Sequence, residues 1–475
     1  MRARKEEKTM RSKEIDFTNG KPSSLILRFY WPLLMTSMLQ QFYNFADTWI
    51  VGQGLGDNAL AAVGNMGSLF FLIVGFSFGI ANGFGVLIAQ SYGAGNIEML
   101  RRRLAGVVEL GALISVFLSA FSVIFLPTAL RLLRTDEVIM ADSLLYGYII
   151  FGGLATGICY NIAGAVLRAF GDSKTPLKAI IVSSVLNVSL NCLFIFGMGM
   201  GVEGVAIATI ISQVVSSVIC IRRLMKIPAA ELKKEHFVND GKVYFELLAN
   251  GLPMAFMNSI TAVGCMVVQF FVNGYGVVYT AAYAACSKYL NLFMNPASTA
   301  GNAMSAYTSQ NYGAGKFGRI KEGLYVCLSI AAVSYLILGS LMIFAPERLA
   351  RVLLTGNEQV RLACQFMPIC GIMLIFVDTL FVVRNAVQGM GKPMLPMMSG
   401  ILEMFLRIFV ISFFMGRVGF RATAFAEISA WIGALSVNAY AFIRILAPLL
   451  KKEQENEGTA SEMCGGWRKK AHGTF

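Results

Sequence analysis

The stretch Gln90-Ser91-Tyr92-Gly93-Ala94-Gly95 returns as Gln310-Asn311-Tyr312-Gly313-Ala314-Gly315, an offset of 220 residues. The same offset relates Gly171 to Gly391, Pro176 to Pro396 and Gly199 to Gly419. Matching content at one fixed spacing over so long a span marks a duplicated unit. What lies between these markers is almost wholly apolar, so the unit is a bundle of membrane helices. Two like halves in a membrane form an architecture for moving a solute across it.

Composition supports that reading. Of 475 residues, 56% are apolar and 14% charged, with a mean hydropathy of +0.63. A soluble domain carries about 25% charged residues, so this chain lacks the polar surface to cover itself in water. Apolar runs of about 20 residues or more, enough to cross a bilayer, fall near 25–52, 58–91, 101–127, 140–169, 176–200, 202–225, 243–273, 279–311, 319–346, 359–388, 393–416 and 419–447. That makes twelve spans, six per half. The first run is too long for a cleaved leader and carries Gln40, Gln41, Asn44 and Asp47, so it is kept as span one.

The net charge of +13 is informative through its distribution. With twelve spans and an inside N-terminus, the inside loops hold Arg101 to Arg103, Lys174, Lys178, Arg222, Arg223, Lys226, Lys233, Lys234, Lys242, Lys316, Arg319, Lys321 and Lys392. The outside loops hold only Arg131, Arg134, Arg348, Arg351, Arg417 and Arg421. This bias predicts cytoplasmic termini and a multi-pass protein of the cell membrane. Charge spread over many loops argues against a nucleic-acid partner; the lipid bilayer is the expected one. Nine cysteines without metal-ligand spacing, and only two histidines, give no support to a metal centre.

The chain divides into a charged, mobile N-terminal tail (1–24), an N-terminal lobe (25–225), a linker (226–242), a C-terminal lobe (243–447) and a polar C-terminal tail (448–475) that reads as disordered. Six spans per half start both lobes on the same side, so the repeat is parallel, about an axis along the membrane normal. The fold class is all-α: twelve transmembrane helices in two pseudo-symmetric six-helix lobes around a cleft. Gly199-Met-Gly-Val-Glu-Gly204 fits a dinucleotide fingerprint but is a turn between apolar helices, with no strand before it. Asn187-Val-Ser189 fits a glycosylation sequon but lies within a span. The Tyr-Gly-Ala-Gly turns read as helix C-terminal stops.

The candidate functional residues are those that a lipid-facing helix could not tolerate. Asp47 leads: a carboxylate well inside span one, 15 residues after Pro32, with Asn44 one turn before it. It can stand protonated or ionised beside a cation, and ion-coupled transport needs a group that switches between such states. Asn187 and Asn191 in span five share a helix face at i, i+4, and Thr209 in span six could add a hydroxyl. Aimed at one carboxylate, these oxygens suit Na⁺ or cradle a protonated acid. The second half does not copy this set, since Arg407 and Ile411 stand at the asparagines' offsets. It has instead Asp378 in span ten, a candidate second proton or substrate site together with Gln40 and Asn44. Glu403 and Arg407, at i, i+4 in span eleven, suit a structural ion pair. Glu109 in span three is a weaker candidate.

With these residues in view, the sequence resembles the multidrug and toxic compound extrusion (MATE) transporters. The likeness rests on twelve spans in two parallel halves, the Pro then Asp of span one, the paired Tyr-Gly-Ala-Gly turns, and the run from Leu186 to Thr209. It covers about 25–447. It implies efflux of small-molecule drugs or toxic metabolites in exchange for Na⁺ or H⁺, with no cofactor beyond the coupling ion. It places Asp47, Asn187, Asn191 and Thr209 in the family's N-lobe ion site, Pro32 at a bend in span one, and Asp378 at the span-ten acid of one branch. Asn191 stands where some relatives carry Asp, and residues 251–264 hold no acid where another branch has Glu. A cationic amphiphile would suit a cleft with buried acids.

The expected mechanism is a rocking of the two lobes of a monomer by alternating access. A lipid-linked oligosaccharide flippase is the alternative. It would need several cleft cations, and Arg407, Arg384 and Arg168 are the ones available. No nucleophile–base set lies inside the spans, so an enzyme is not expected.

Overall fold

The fold was obtained as a computed structural model that describes residues 14–133, 135–238 and 240–471 and, for residues 68 and 456–471, the backbone only. The described residues form α-helices and short helical turns, with no strand among them. In order these helices are α1 (Pro22–Leu55), α2 (Asp57–Gly93), α3 (Ile97–Leu132), α4 (Glu137–Gly152), α5 (Leu154–Ala169), α6 (Lys174–Cys192) and α7 (Val202–Leu224) in the first lobe. The second lobe has α8 (Gly241–Asn273), α9 (Val277–Gly313), α10 (Phe317–Phe344), the short α11 (Pro346–Leu353), α12 (Asn357–Gly389), α13 (Met394–Val418) and α14 (Arg421–Ala471).

Among the described residues, nine helices are long and apolar enough to cross a membrane, and α4 with α5 makes a tenth span bent by 45°. Helices α1 and α9, of 34 and 37 residues, complete the twelve. At about 1.5 Å per residue each exceeds a 30 Å hydrocarbon core, but each carries a row of polar side chains that lowers its hydropathy. Some of those side chains are buried, such as Thr308 and Gln310 of α9, and others are exposed, such as Gln40 and Asn44 of α1.

The duplication is written in the backbone. Helices α2 and α9 begin and end at the 220-residue offset, as do the starts of α6 and α13. Left-handed glycines recur at that offset too: Gly56 with Gly276, Gly95 with Gly315, Gly171 with Gly391 and Gly199 with Gly419. Gly95 and Gly315, both at φ +69°, show why the turn sequence repeats. The Gly95 amide donates to the Tyr92 carbonyl and the Asn96 amide to that of Ser91. This closure of a helix end needs a residue that tolerates positive φ.

The lobes meet at the face that bears both termini and stay apart toward the far face. One apolar core joins Phe29, Tyr30 and Leu33 of α1 to Ala300, Met304 and Tyr307 of α9. A second joins Phe84 and Ile88 of α2 to Val243, Leu247 and Ala255 of α8. Toward the far face each core stays within one lobe, as with Ile50, Ile195 and Val205 or Phe366, Ile411 and Trp431.

Two expectations about the ends are corrected. Residues 14–20 of the tail expected to be mobile lie in the seam between lobes, because Ile15 and Phe17 are apolar and both are buried; residues 1–13 fall outside the described residues. The tail expected to be disordered continues α14 as far as Ala471. Lys451 and Glu455 pair at i, i+4, and Glu453 accepts from the free amide of Gly318 at the start of α10 (2.7 Å). That contact extends the helix past the apolar span.

Candidate functional site

Four of the residues singled out in the sequence come together inside the first lobe. The Asn191 amide donates to Asp47 Oδ1 (2.6 Å) and to Asn187 Oδ1 (3.0 Å). The Asn187 amide donates to Thr209 Oγ1 (3.4 Å), whose hydroxyl donates to the Val205 carbonyl (3.0 Å). The i, i+4 spacing on α6 puts both asparagines on one face, turned inward and fully buried, while Asp47 is only partly buried. Asn191 Oδ1 is buried and has no hydrogen-bond partner among the described residues. An orphaned acceptor beside a carboxylate fits a proton, water or cation that bridges the two. The set supplies oxygen donors alone, the ligand type suited to hard cations.

Gln40 and Asn44 do not join this cluster; both are exposed on α1. Helix α1 runs unbroken through Pro32, whose carbonyl accepts from Thr36 Oγ1 (2.8 Å). Glu109 accepts a hydrogen bond from the Tyr244 hydroxyl of the other lobe.

In the second lobe Glu403 pairs with Arg407 (3.3 Å) as its spacing predicts. The pair sits inside a larger network that the spacing did not reveal. Arg384 of α12 binds Glu403, and Arg407 reaches Glu427 of α14 (3.0 Å). All four are buried, and with two charges of each sign the group is closed upon itself. Asp378 stands apart: it is fully buried, and among the described residues neither carboxyl oxygen has a hydrogen-bond partner.

The repeated turns prove to be more than helix stops. Gln90 donates to the Gly389 carbonyl of the opposite lobe (3.0 Å), and Gln310 donates to the Ala169 carbonyl (2.7 Å). Donors and acceptors alike are related by the offset of 220, so each lobe reaches into the other in the same way. Gly93 and Gly313 allow this approach. A Cβ on Gly93 would come within 2.0 Å of the Gln310 carbonyl oxygen, and one on Gly313 within 1.9 Å of that of Gln90. The sequence signal was present in the conserved spacing of glutamine and glycine within the repeat, but a crossing between lobes is invisible to local pattern.

The N-terminal segment straps this seam. Ile15 lies against Gly171 and Glu14 pairs with Arg223 (3.3 Å), both in the first lobe. The Phe17 amide donates to Gln310 Oε1 (3.0 Å), and its carbonyl accepts from Arg319 (2.9 Å) in the second. Lys316 Nζ donates to the Thr18 carbonyl (2.8 Å). Among the described residues, the side-chain hydrogen bonds between the lobes lie between mid-helix, where Asn258 donates to the Gly75 carbonyl (3.1 Å), and the termini face. Above the seam, a cavity of about 40 Å³ on the axis is lined by Asn82, Arg168, Asn302, Ser305, Ser309 and Asn385, among others.

Two matching lobes, sealed at one face and parted at the other around an axial cavity, define a multi-pass membrane transporter scaffold. The chain belongs to the MatE family, whose model matches residues 32–193 and 253–413. It is 31% identical over 352 residues to the probable multidrug resistance protein YoeA of Bacillus subtilis, covering 72% of this chain and 75% of that one. It is 24% identical to the FAD transporter of Shewanella oneidensis, over 75% and 81% of the two chains. Among solved structures, the outward-facing conformation of a MATE family multidrug resistance transporter matches with a TM-score of 0.84 at 21% identity, over 93% and 99% of the chains. The fold expected from the sequence is thus the fold found.

Proposed function

We propose that this protein exports amphiphilic small molecules across the cell membrane in exchange for an inward-moving Na⁺ or H⁺. It works as a transporter rather than an enzyme, with both termini in the cytoplasm. The excess of Lys and Arg in the loops at the termini face supports that orientation. The described arrangement is then the outward-open one. One chain holds both lobes and the whole cleft, so a monomer suffices. The relatives named for multidrug resistance support the class of cargo.

The observation that carries the coupling is the Asp47–Asn191–Asn187–Thr209 chain, with its partly open carboxylate and orphaned amide oxygen. Arrival of the cation changes the charge of Asp47 and the hydrogen bonds along that chain. Because Asp47 and Pro32 share α1, a change of helix geometry at the proline links the cluster to the cleft wall. Pro32 removes an amide donor and loosens the helix there. Exchange requires only that the cation favour a state that holds cargo poorly. Entry of cargo from the cytoplasm requires release of the Gln90 and Gln310 cross-bonds and of the Phe17 strap.

A flippase for a pyrophosphate-linked lipid is disfavoured because Arg384 and Arg407 are neutralised by Glu403 and Glu427. The test is dye efflux from everted vesicles under an imposed Na⁺ or pH gradient. Wild type should respond to one gradient, and Asp47→Asn should lose about 100-fold or more of the driven rate, since a site that no longer distinguishes states cannot shift their populations. Equal rates for the two proteins under both gradients would sink the assignment.

A further inference from the structure

Lys288 lies within the membrane-spanning helix α9, where a charged side chain must face water or a partner. Helical periodicity decides which. Residues seven apart share a face to within about 20°, and Lys288, Asn295, Asn302 and Ser309 follow at that interval. Asn302 and Ser309 line the axial cavity, so Lys288 stands on the cleft-facing stripe in the far half of the helix. Its exposure agrees: Lys288 and Asn291 are exposed, whereas Tyr283, Cys286, Tyr289 and Leu290 are buried in the lobe behind them. Among the described residues Lys288 has no ion-pair partner.

The corresponding helix of the other lobe has a different character. At the offset of 220 from Asn291 and Ser298, α2 presents Phe71 and Phe78, both exposed. At the floor, Arg168 donates to the neutral Asn82 (3.1 Å) and its guanidinium sits 5.9 Å from the Phe78 ring centre; no carboxylate among the described residues pairs with it. The acids lie elsewhere. Asp47 turns to Asn191 inside its lobe, Asp378 is fully buried, and Glu403 and Glu427 are closed on arginines. Among the described residues, the ionised groups on this wall and floor that lack a counter-charge, Lys288 and Arg168, are therefore both cations, facing an aromatic surface.

We propose that the cleft selects amphiphiles bearing an anionic group (carboxylate, sulfonate or phosphate), with Lys288 meeting the anion and Phe71 and Phe78 the apolar body. This rests on the reading of the chain as an exporter and reverses the cationic preference expected from the buried acids.

The test is equilibrium binding to the purified full-length protein, followed by fluorescence anisotropy. The probes are an anionic amphiphile, dodecanoylaminofluorescein, and a cationic one of similar ring system, rhodamine 6G; excess of a non-fluorescent competitor of matching charge, dodecyl sulfate below its micellar concentration or tetraphenylphosphonium, defines the specific signal. Wild type should bind the fluorescein at least about tenfold more tightly. Lys288→Gln should weaken fluorescein binding by about tenfold, the scale of one hydrogen bond to a charged group, and Lys288→Glu should favour the rhodamine. Elution profile and thermal midpoint check that both variants stay folded, as an exposed, unpaired side chain leads one to expect. Tighter rhodamine binding by wild type, or unchanged fluorescein binding by Lys288→Gln, overturns the proposal. Binding needs no gradient, so the outcomes separate. Lys288-dependent binding without efflux overturns the exporter and leaves the site, whereas gradient-driven efflux of rhodamine with no fluorescein binding does the reverse.

Discussion

The two lobes share a scaffold and differ in how they treat their buried charges. In the second lobe Arg384, Glu403, Arg407 and Glu427 balance one another in charge, although Arg384 Nε has no hydrogen-bond partner among the described residues, and removing any member strands a charge. In the first lobe Asp47 leans on a neutral asparagine, is partly open, and faces an acceptor with nothing to accept from. A closed network holds a shape. An incomplete one has a state to gain when a cation arrives. Duplication supplied equivalent frames; at the offsets of Asn187 and Asn191 stand Arg407 and Ile411, and under the proposed function this difference leaves one lobe rigid and the other responsive.

The largest effect should come from opening the closed network. Glu403→Gln leaves Arg384 and part of Arg407 without a counter-charge, and losing one partner of a buried pair costs about 3–5 kcal/mol. A thermal unfolding series should show that loss, while Asp378→Asn, which breaks no contact among the described residues, should stay within about 1 kcal/mol. Equal destabilisation of the two variants would erase the contrast drawn between network and lone acid.

Next in size is the seam. Gly313→Val forces a side chain against the Gln90 carbonyl, an overpacking worth about 1–3 kcal/mol, and should hold the termini face apart. Labelling of a cysteine placed at Asn302, read from the cytoplasmic side, should rise several-fold; an unchanged rate would mean that the crossing is not the seal. The smallest expected effects belong to the strap and its partner. Gln310→Ala removes the bond to Ala169 and the one from Phe17, each worth about 1 kcal/mol. It should shift the same labelling assay less than Gly313→Val does, and more than Gln90→Ala, which removes one.

Much of this was legible before the fold was seen. The twelve spans, the parallel repeat and the approach of Asp47 to Asn187, Asn191 and Thr209 follow from helical spacing and from the cost of polar groups in lipid. The Glu403–Arg407 pair followed from spacing alone, but Arg384 and Glu427 come from other helices, and no local rule joins them. The Tyr-Gly-Ala-Gly turns read as helix stops alone because the acceptors of the adjoining Gln90 and Gln310 lie on the opposite lobe. The N-terminal segment reads as mobile because charge dominates its composition, yet within residues 14–20 Ile15 and Phe17 are buried and hold that stretch in the seam. Lys288 was hidden by the apolar average of its span and emerges only when α9 is read one face at a time.

On the proposed function, the cation moves through the first lobe and not the second. The most direct measurement reverses the expected flow: load proteoliposomes with a transported dye and record Na⁺ or H⁺ movement driven by the dye gradient alone. Wild type and Asp378→Asn should both move the cation, and Asp47→Asn should not. Cation movement by Asp47→Asn at the wild-type rate, or its loss in Asp378→Asn alone, would contradict the account.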